Sequence, residues 1–433
     1  MFEEGSFQLR LPSVIFGVLT LIVAYRLATQ IFRDPAVTLA ALAVFSVAEQ
    51  LIWFSQTARP YALALLLTLL SFGSFLHFLQ SRRMRHAIVY ALTTALLIYA
   101  HFLFGVVVVV QVVLVMAKSG WRELLSKHWL WTLSITAMLC LPLSGQLIAL
   151  YGRRQALDWI PHVVQTSQGA TLARGFADPW ALVLATVALL AIGIERINLR
   201  DSSTREVLKF LLAWLIIPLA GIWALATLIG VSFFEARYIL FVYPAAYYLW
   251  AWLMLHVKAT NWRRALPACA FVTATMGISL IPHLFENGTF RHAEQLGWER
   301  AGKTMSALGR PGDQVVFYSV FVEADQFTEK PQDAFLLSYV SWPLVAHLPP
   351  NHGLSLISLP HHQNDHTNRY IRSIEQRVAT HERVWVIGPD KQREYFNDEM
   401  ISQFGFHRVD TFPSELSEYT IKVSLLVRSR QGS

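Results

Sequence analysis

Charge is scarce in this sequence: only 15% of its 433 residues are Asp, Glu, Lys or Arg, well below the soluble balance. Cysteine is nearly missing. Cys140 and Cys269 each fall inside an apolar stretch, so neither a disulfide framework nor metal-ligand spacing can be drawn from them, and they say nothing about redox compartment. The chain shows no internal repeat and no low-complexity tract, and its C-terminal part holds no glycine-rich phosphate loop.

What fills the sequence instead is hydrophobic residue, 54% of the chain. Ten apolar stretches lie at 12–32, 36–54, 60–79, 87–100, 102–117, 129–150, 180–194, 208–231, 238–256 and 265–285. Most approach the roughly 20 apolar residues that one bilayer crossing needs. Alternate loops collect cations: Arg26 and Arg33; Arg82, Arg83 and Arg85; Lys118, Arg122 and Lys127; Arg196, Arg200, Arg205 and Lys209; Lys258, Arg263 and Arg264. The intervening loops hold only Arg59, Arg153, Arg154, Arg174 and Arg237. The positive-inside rule makes the first set cytoplasmic and the second external. It also predicts two crossings, not one, over residues 87–117. The net charge of +7 is therefore mostly an orientation signal facing anionic lipid headgroups, and nucleic acid is not an expected partner.

Beyond about residue 286 hydropathy falls. A helix is expected over His292–Leu308, and strands over Gln314–Ser319, Leu354–Leu359, Arg383–Ile387 and Tyr419–Val427. Helices near Asn368–Thr380 and Lys391–Phe404 separate the later strands. The expected organisation is a polytopic all-α membrane domain, residues 1–285, and a C-terminal extracytoplasmic α/β domain, residues 286–433. Ten crossings bring that domain to the same side as the N-terminus. An external N-terminus without a signal peptide suggests a further crossing upstream, in a longer reading frame.

Four motifs sit at external span ends: Phe7-Gln8-Leu9-Arg10-Leu11-Pro12-Ser13, the run Trp53–Tyr61, Tyr99-Ala100-His101-Phe102, and Ala236-Arg237-Tyr238 continuing to Pro244. In this order and on this side, the chain resembles glycosyltransferases of GT-C fold related to protein O-mannosyltransferases and the aminoarabinose transferase of lipid A. The resemblance covers nearly the whole membrane half. It implies a multi-pass protein of the plasma (inner) membrane that moves a sugar from a polyprenyl-phosphate donor to an external acceptor, without a cofactor. It also implies an acidic general base on a first external loop, which these 433 residues do not contain. Many relatives have Glu at the position of Thr57, and a further acid in the third span, where this chain has neither. The chain as given is then expected to lack activity. The alternatives are a transporter or flippase for a lipid-linked glycan, and an inactive truncated transferase.

Candidate residues follow from the same boundaries. Arg59 with Tyr61, and Arg237 with Tyr238, place a guanidinium and an aromatic ring at two external helix entrances. Each Arg either forks onto a lipid phosphate or anchors the chain at the interface. His101, at a hairpin tip, either reaches phosphate or an acceptor hydroxyl or simply packs the hairpin. Glu49 inside a span, and Asp158 and Asp178 in the long loop 151–179, are candidate catalytic acids. Structural roles serve as well for all three: helix capping or solvation for the aspartates, pairing for Glu49. His361, His362, Asp365 and His366 are the only grouping that resembles metal ligands; their irregular spacing in a polar loop argues against a metal.

Overall fold

The computed structural model describes residues 4–146, 148, 201–229, 237–256, 297–319, 321–361, 365–412 and 421–429. They belong to two compact units, Met1–His283 and Leu284–Ser433.

In the first unit α1 spans Glu4–Phe32, α2 Pro35–Val47, α3 Glu49–Gln56, α4 Tyr61–Ser81 and α5 Met84–Ala100. A 3-10 turn, Phe102–Gly105, leads to α6, Val106–Ser119; α7 is Lys127–Cys140, α8 Ser202–Ile229 and α9 Tyr243–His256. Local chemistry sets the joints. Asp34 caps α2 by accepting from the amides of Ala36 at 2.8 Å and Val37 at 3.4 Å, and Pro35 opens the helix where no amide partner is needed. Arg82 ends α4 in the left-handed conformation, φ 53°.

α1 packs on α2, α3 and α4 with small side chains inward, Ser13, Thr20, Ala24 and Ala28 among them. Its large residues Val18, Ile22 and Tyr25 face outward. Small residues are the usual means of close helix approach in a bilayer. Gly17 is an instance, because a Cβ there would collide with the Ser55 side chain of α3. Deeper in the bundle a hydrogen-bonded chain joins three helices. Tyr90 of α5 donates to Gln111 of α6 at 2.7 Å, Gln111 donates to Ser71 of α4 at 3.0 Å, and Ser71 meets Thr94 at 2.8 Å, all buried.

Among the described residues, four helices are long and apolar enough to cross a bilayer: Arg10–Phe32, Tyr61–Ser81, Phe102–Ser119 and Ser202–Ala224. α2 and α3 make a fifth if counted as one bent span. The expected crossing at 36–54 is thus broken by a 54° bend, because Ala48 takes an extended ψ of 112° between the two helices. The expected span at 129–150 is interrupted after Cys140 by the turn Leu141–Leu143, where Pro142 removes an amide donor. Over 87–100 the helix α5 is shorter than a full crossing, and the helix expected over 238–256 begins only at Tyr243. The stretches 180–194 and 265–285 lie outside the described residues.

The second unit is a three-layer α/β/α domain. α10, Trp298–Leu308, precedes β1, Gln314–Tyr318; a 3-10 segment Val322–Thr328 and α11, Ala334–Val345, precede β2, Ser355–Leu359. Then come α12, Asp365–Val378; β3, Arg383–Gly388; α13, Asp390–Phe404; β4, Phe406–Phe412; and β5, Lys422–Arg428. The sheet order is β2-β1-β3-β5-β4, with β1 parallel to β2 and β3, and β5 antiparallel to both neighbours. Strand alternation sorts the core. Val315, Phe317, Trp385 and Leu425 face α10 and α11; Val316, Val384, Val386 and Leu426 face α12 and α13. Asp313, buried in the turn before β1, accepts from Arg383 Nε at 3.0 Å and from Trp385 Nε1 at 2.7 Å.

β4 and α11 escaped the sequence reading. β4 is an exposed edge carrying His407, Arg408 and Asp410, with no apolar run to betray it, and a register shift between Arg408 and Asp410 leaves Val409 as a bulge. α11 is apolar on both sides, so it shows no helical alternation of polarity.

Candidate functional site

α4 fixes the geometry. A 21-residue helix is roughly 31 Å long, so its two ends can lie near the two faces of a bilayer. At its C-terminal end Arg82 forms an ion pair with Glu123, joining two loops that the cation count assigns to one side. At its N-terminal end the motifs assigned to the other side meet.

Pro60 caps α4 and Tyr61 begins it, buried at 9% exposure, with its ring 5.1 Å from Phe54. The His101 ring lies 5.8 Å from Tyr61, 4.7 Å from Phe104 and 5.7 Å from Tyr238. Arg237 places its guanidinium carbon 5.0 Å over the Tyr238 ring, a cation–π contact. Behind them Phe104 meets Phe241 at 4.9 Å, and Trp214 donates to the Phe241 carbonyl at 2.9 Å, which ties the turn before α9 to α8.

Three segments distant in sequence therefore converge on one imidazole. His101 sits between α5 and the next helical turn, outside both; burial, then the nearby Arg237 charge, lower its pKa and favour the neutral ring. Its Nδ1 is buried without a hydrogen-bond partner among the described residues. Such an atom in an aromatic setting can serve a ligand hydroxyl. Arg59 is exposed in the turn before α4, its amide donating to the Thr57 carbonyl at 2.8 Å.

The sequence reading placed these residues at one boundary without pairing them. Contact between the ends of elements distant in sequence carries no periodic signal, so the sequence reading did not assign Phe54 and Phe104, which wedge the rings, to the site. Glu49 opens α3 at the bend, but its side chain is outside the described set, and Asp158 and Asp178 lie outside the described residues. In the second unit His361 donates through Nδ1 to the Ser319 carbonyl at 3.0 Å, and Asp365 begins α12 exposed; His362 and the His366 side chain lie outside the described set. No group of three or more His, Cys, Asp or Glu side chains placed to hold a metal occurs among the described residues.

Residues 1–144 match the family model described as dolichyl-phosphate-mannose-protein mannosyltransferase. The match includes Arg59, Tyr61 and His101 and stops before Arg237. No curated protein matches the chain.

Proposed function

We propose that this protein is a membrane glycosyltransferase that moves a sugar from a polyprenyl-phosphate donor to an extracytoplasmic glycan, lipid or protein acceptor. The observation that carries this is the convergence of Tyr61, His101, Arg237 and Tyr238 at one end of α4, in a chain whose first 144 residues match a family of that activity. In this reading the protein sits in the plasma (inner) membrane with that end and the C-terminal domain outside, and no metal or organic cofactor takes part.

The chemistry is a displacement at the anomeric carbon. The acceptor oxygen forms the new bond as the bond from sugar to phosphate breaks. Its proton passes to a carboxylate, and the polyprenyl phosphate leaves with the bonding pair. Glu49, Asp158 and Asp178 are the carboxylate candidates within this sequence. Arg237 and Arg59 hold the departing phosphate, for which a planar guanidinium offers paired donors. Tyr61, His101 and Tyr238 give the sugar a wall of rings with polar edges.

A transporter of lipid-linked glycan would need polar groups lining a route through the bilayer centre. Among the described residues, the buried polar side chains Tyr90, Gln111, Ser71 and Thr94 bond to one another, and Thr68 and Ser74 beside them donate to backbone carbonyls of α4, which supports a helix-joining role and favours the enzyme. The deciding experiment is transfer of radiolabelled sugar from a polyprenyl-phosphate donor, in vesicles, by a purified full-length, active form of the protein. Transfer that Arg59→Lys and Arg237→Lys both abolish supports the reading. Transbilayer movement of the donor without transfer supports the transporter instead.

A further inference from the structure

One face of the C-terminal domain is unexplained by its own fold. α11 has no Asp, Glu, Lys, Arg or His from Ala334 to Val345, whereas α12 and α13 are rich in charge. Its inner side, Leu336, Val340 and Leu344, belongs to the core. Its outer side carries Phe335, Tyr339 and Trp342, spaced four and three apart and therefore in one stripe, at 82%, 45% and 62% exposure. Phe321 extends the stripe, its ring 5.0 Å from Tyr339. Single exposed apolar residues are ordinary, but a row of large rings on an uncharged helix is not.

We propose that this stripe docks the domain onto the lipid bilayer, with the rings seated at headgroup level. Residue type favours that occupant, since Trp and Tyr concentrate where one end of the ring is apolar and the other wet. Charge favours it as well. α10 packs beside the C-terminal end of α11 through Gly302 against His347, and the exposed Arg300, Lys303 and Arg310 belong to it and to the turn after it. Glu299 pairs with Lys303. Of the other acids near this helix, Asp333 caps its N-terminal end and Glu329 precedes that cap in sequence, while Glu323 lies near Tyr339. The cationic end thus suits anionic headgroups. Tethering favours it again, because the domain is covalently joined to a unit with membrane-spanning helices, which keeps a bilayer at high effective concentration. The proposal rests on the membrane assignment and not on the catalytic one.

The test uses the full chain with Cys140→Ser and Cys269→Ser, a single bimane label at Tyr339→Cys, and vesicles of phosphatidylcholine with phosphatidylglycerol. Lipids carrying a doxyl group near the headgroup should quench the label while aqueous iodide does not. The same label at Lys391→Cys, exposed on the opposite layer, should show the reverse. Equal iodide quenching at the two positions overturns the proposal. Protection of position 339 from both quenchers also overturns it, because a protein surface then covers the stripe. As a second variant, Phe335→Ser with Trp342→Ser leaves the inner side of α11 intact and should restore iodide access at position 339; unchanged protection there would count against the stripe.

Discussion

His101 and Tyr238 lie ring to ring with centroids 5.7 Å apart, joining the hairpin after α5 to the turn before α9. Tyr61 holds the opposite flank of the same imidazole at 5.8 Å, so one side chain registers three loops against one another. Disturbing any of the three should therefore displace the others.

Arg237 is the sharpest test of the phosphate assignment. Arg237→Lys keeps the charge and loses the planar fork, so sugar transfer should fall about 10²-fold at unchanged membrane expression. Wild-type rates in vesicles would remove Arg237 from the site.

Gly17→Ala should act through packing alone. Its new methyl must push Ser55 and α3 aside, a strain of about 1–3 kcal/mol that lowers the thermal midpoint of the detergent-solubilised chain. Adding Ser55→Gly should recover most of the loss. Failure of that rescue would mean that the helices are not in contact there.

Gln111→Leu cuts the chain from Tyr90 to Ser71 and leaves a buried phenol without its acceptor. The expected loss is about 1 kcal/mol, since hydrogen bonds between membrane helices are individually modest. Folding equilibria in bicelles can read it, and transfer activity in the folded fraction should be unchanged.

Glu375 on α12 predicts a pH dependence. Burial, reinforced by the Glu399 carboxylate and opposed by Arg372, pushes its pKa from the ordinary 4.5 up to about 7. The folded domain then holds a proton that the unfolded chain has already lost, so stability declines as pH rises from about 4.5 to about 7 and levels off above. The loss across that window is about 1–3 kcal/mol, and Glu375→Gln should flatten the curve of thermal midpoint against pH. A wild-type curve that rises through the window would refute the assignment.

Periodicity and charge made much of this legible. Cation alternation grouped Arg82 with Glu123's loop and Tyr61 with His101 and Tyr238, because the bilayer forces sidedness onto loop composition. Apolar runs gave four of the five strands, since strands buried in a sheet covered on both faces need hydrophobic residues whichever way they run. The bend at Ala48 was invisible, because apolar sequence on both sides satisfies lipid whether the helix runs straight or breaks. The ring cluster at His101 was equally hidden, as it depends on contacts between loops whose spacing encodes nothing.

β4 has a consequence for crowding. Proteins held in a membrane share two dimensions, and an open strand edge there meets its copies at high local density in matching orientation. Val409 bulges from that edge at 55% exposure between Arg408 and Asp410, so neighbouring copies find no continuous row of amides to pair with. Deleting Val409 should straighten the strand and turn the protein into a self-templating lattice component, visible as a crosslinked ladder in native membranes. A monomeric band after deletion would show that charge alone guards the edge.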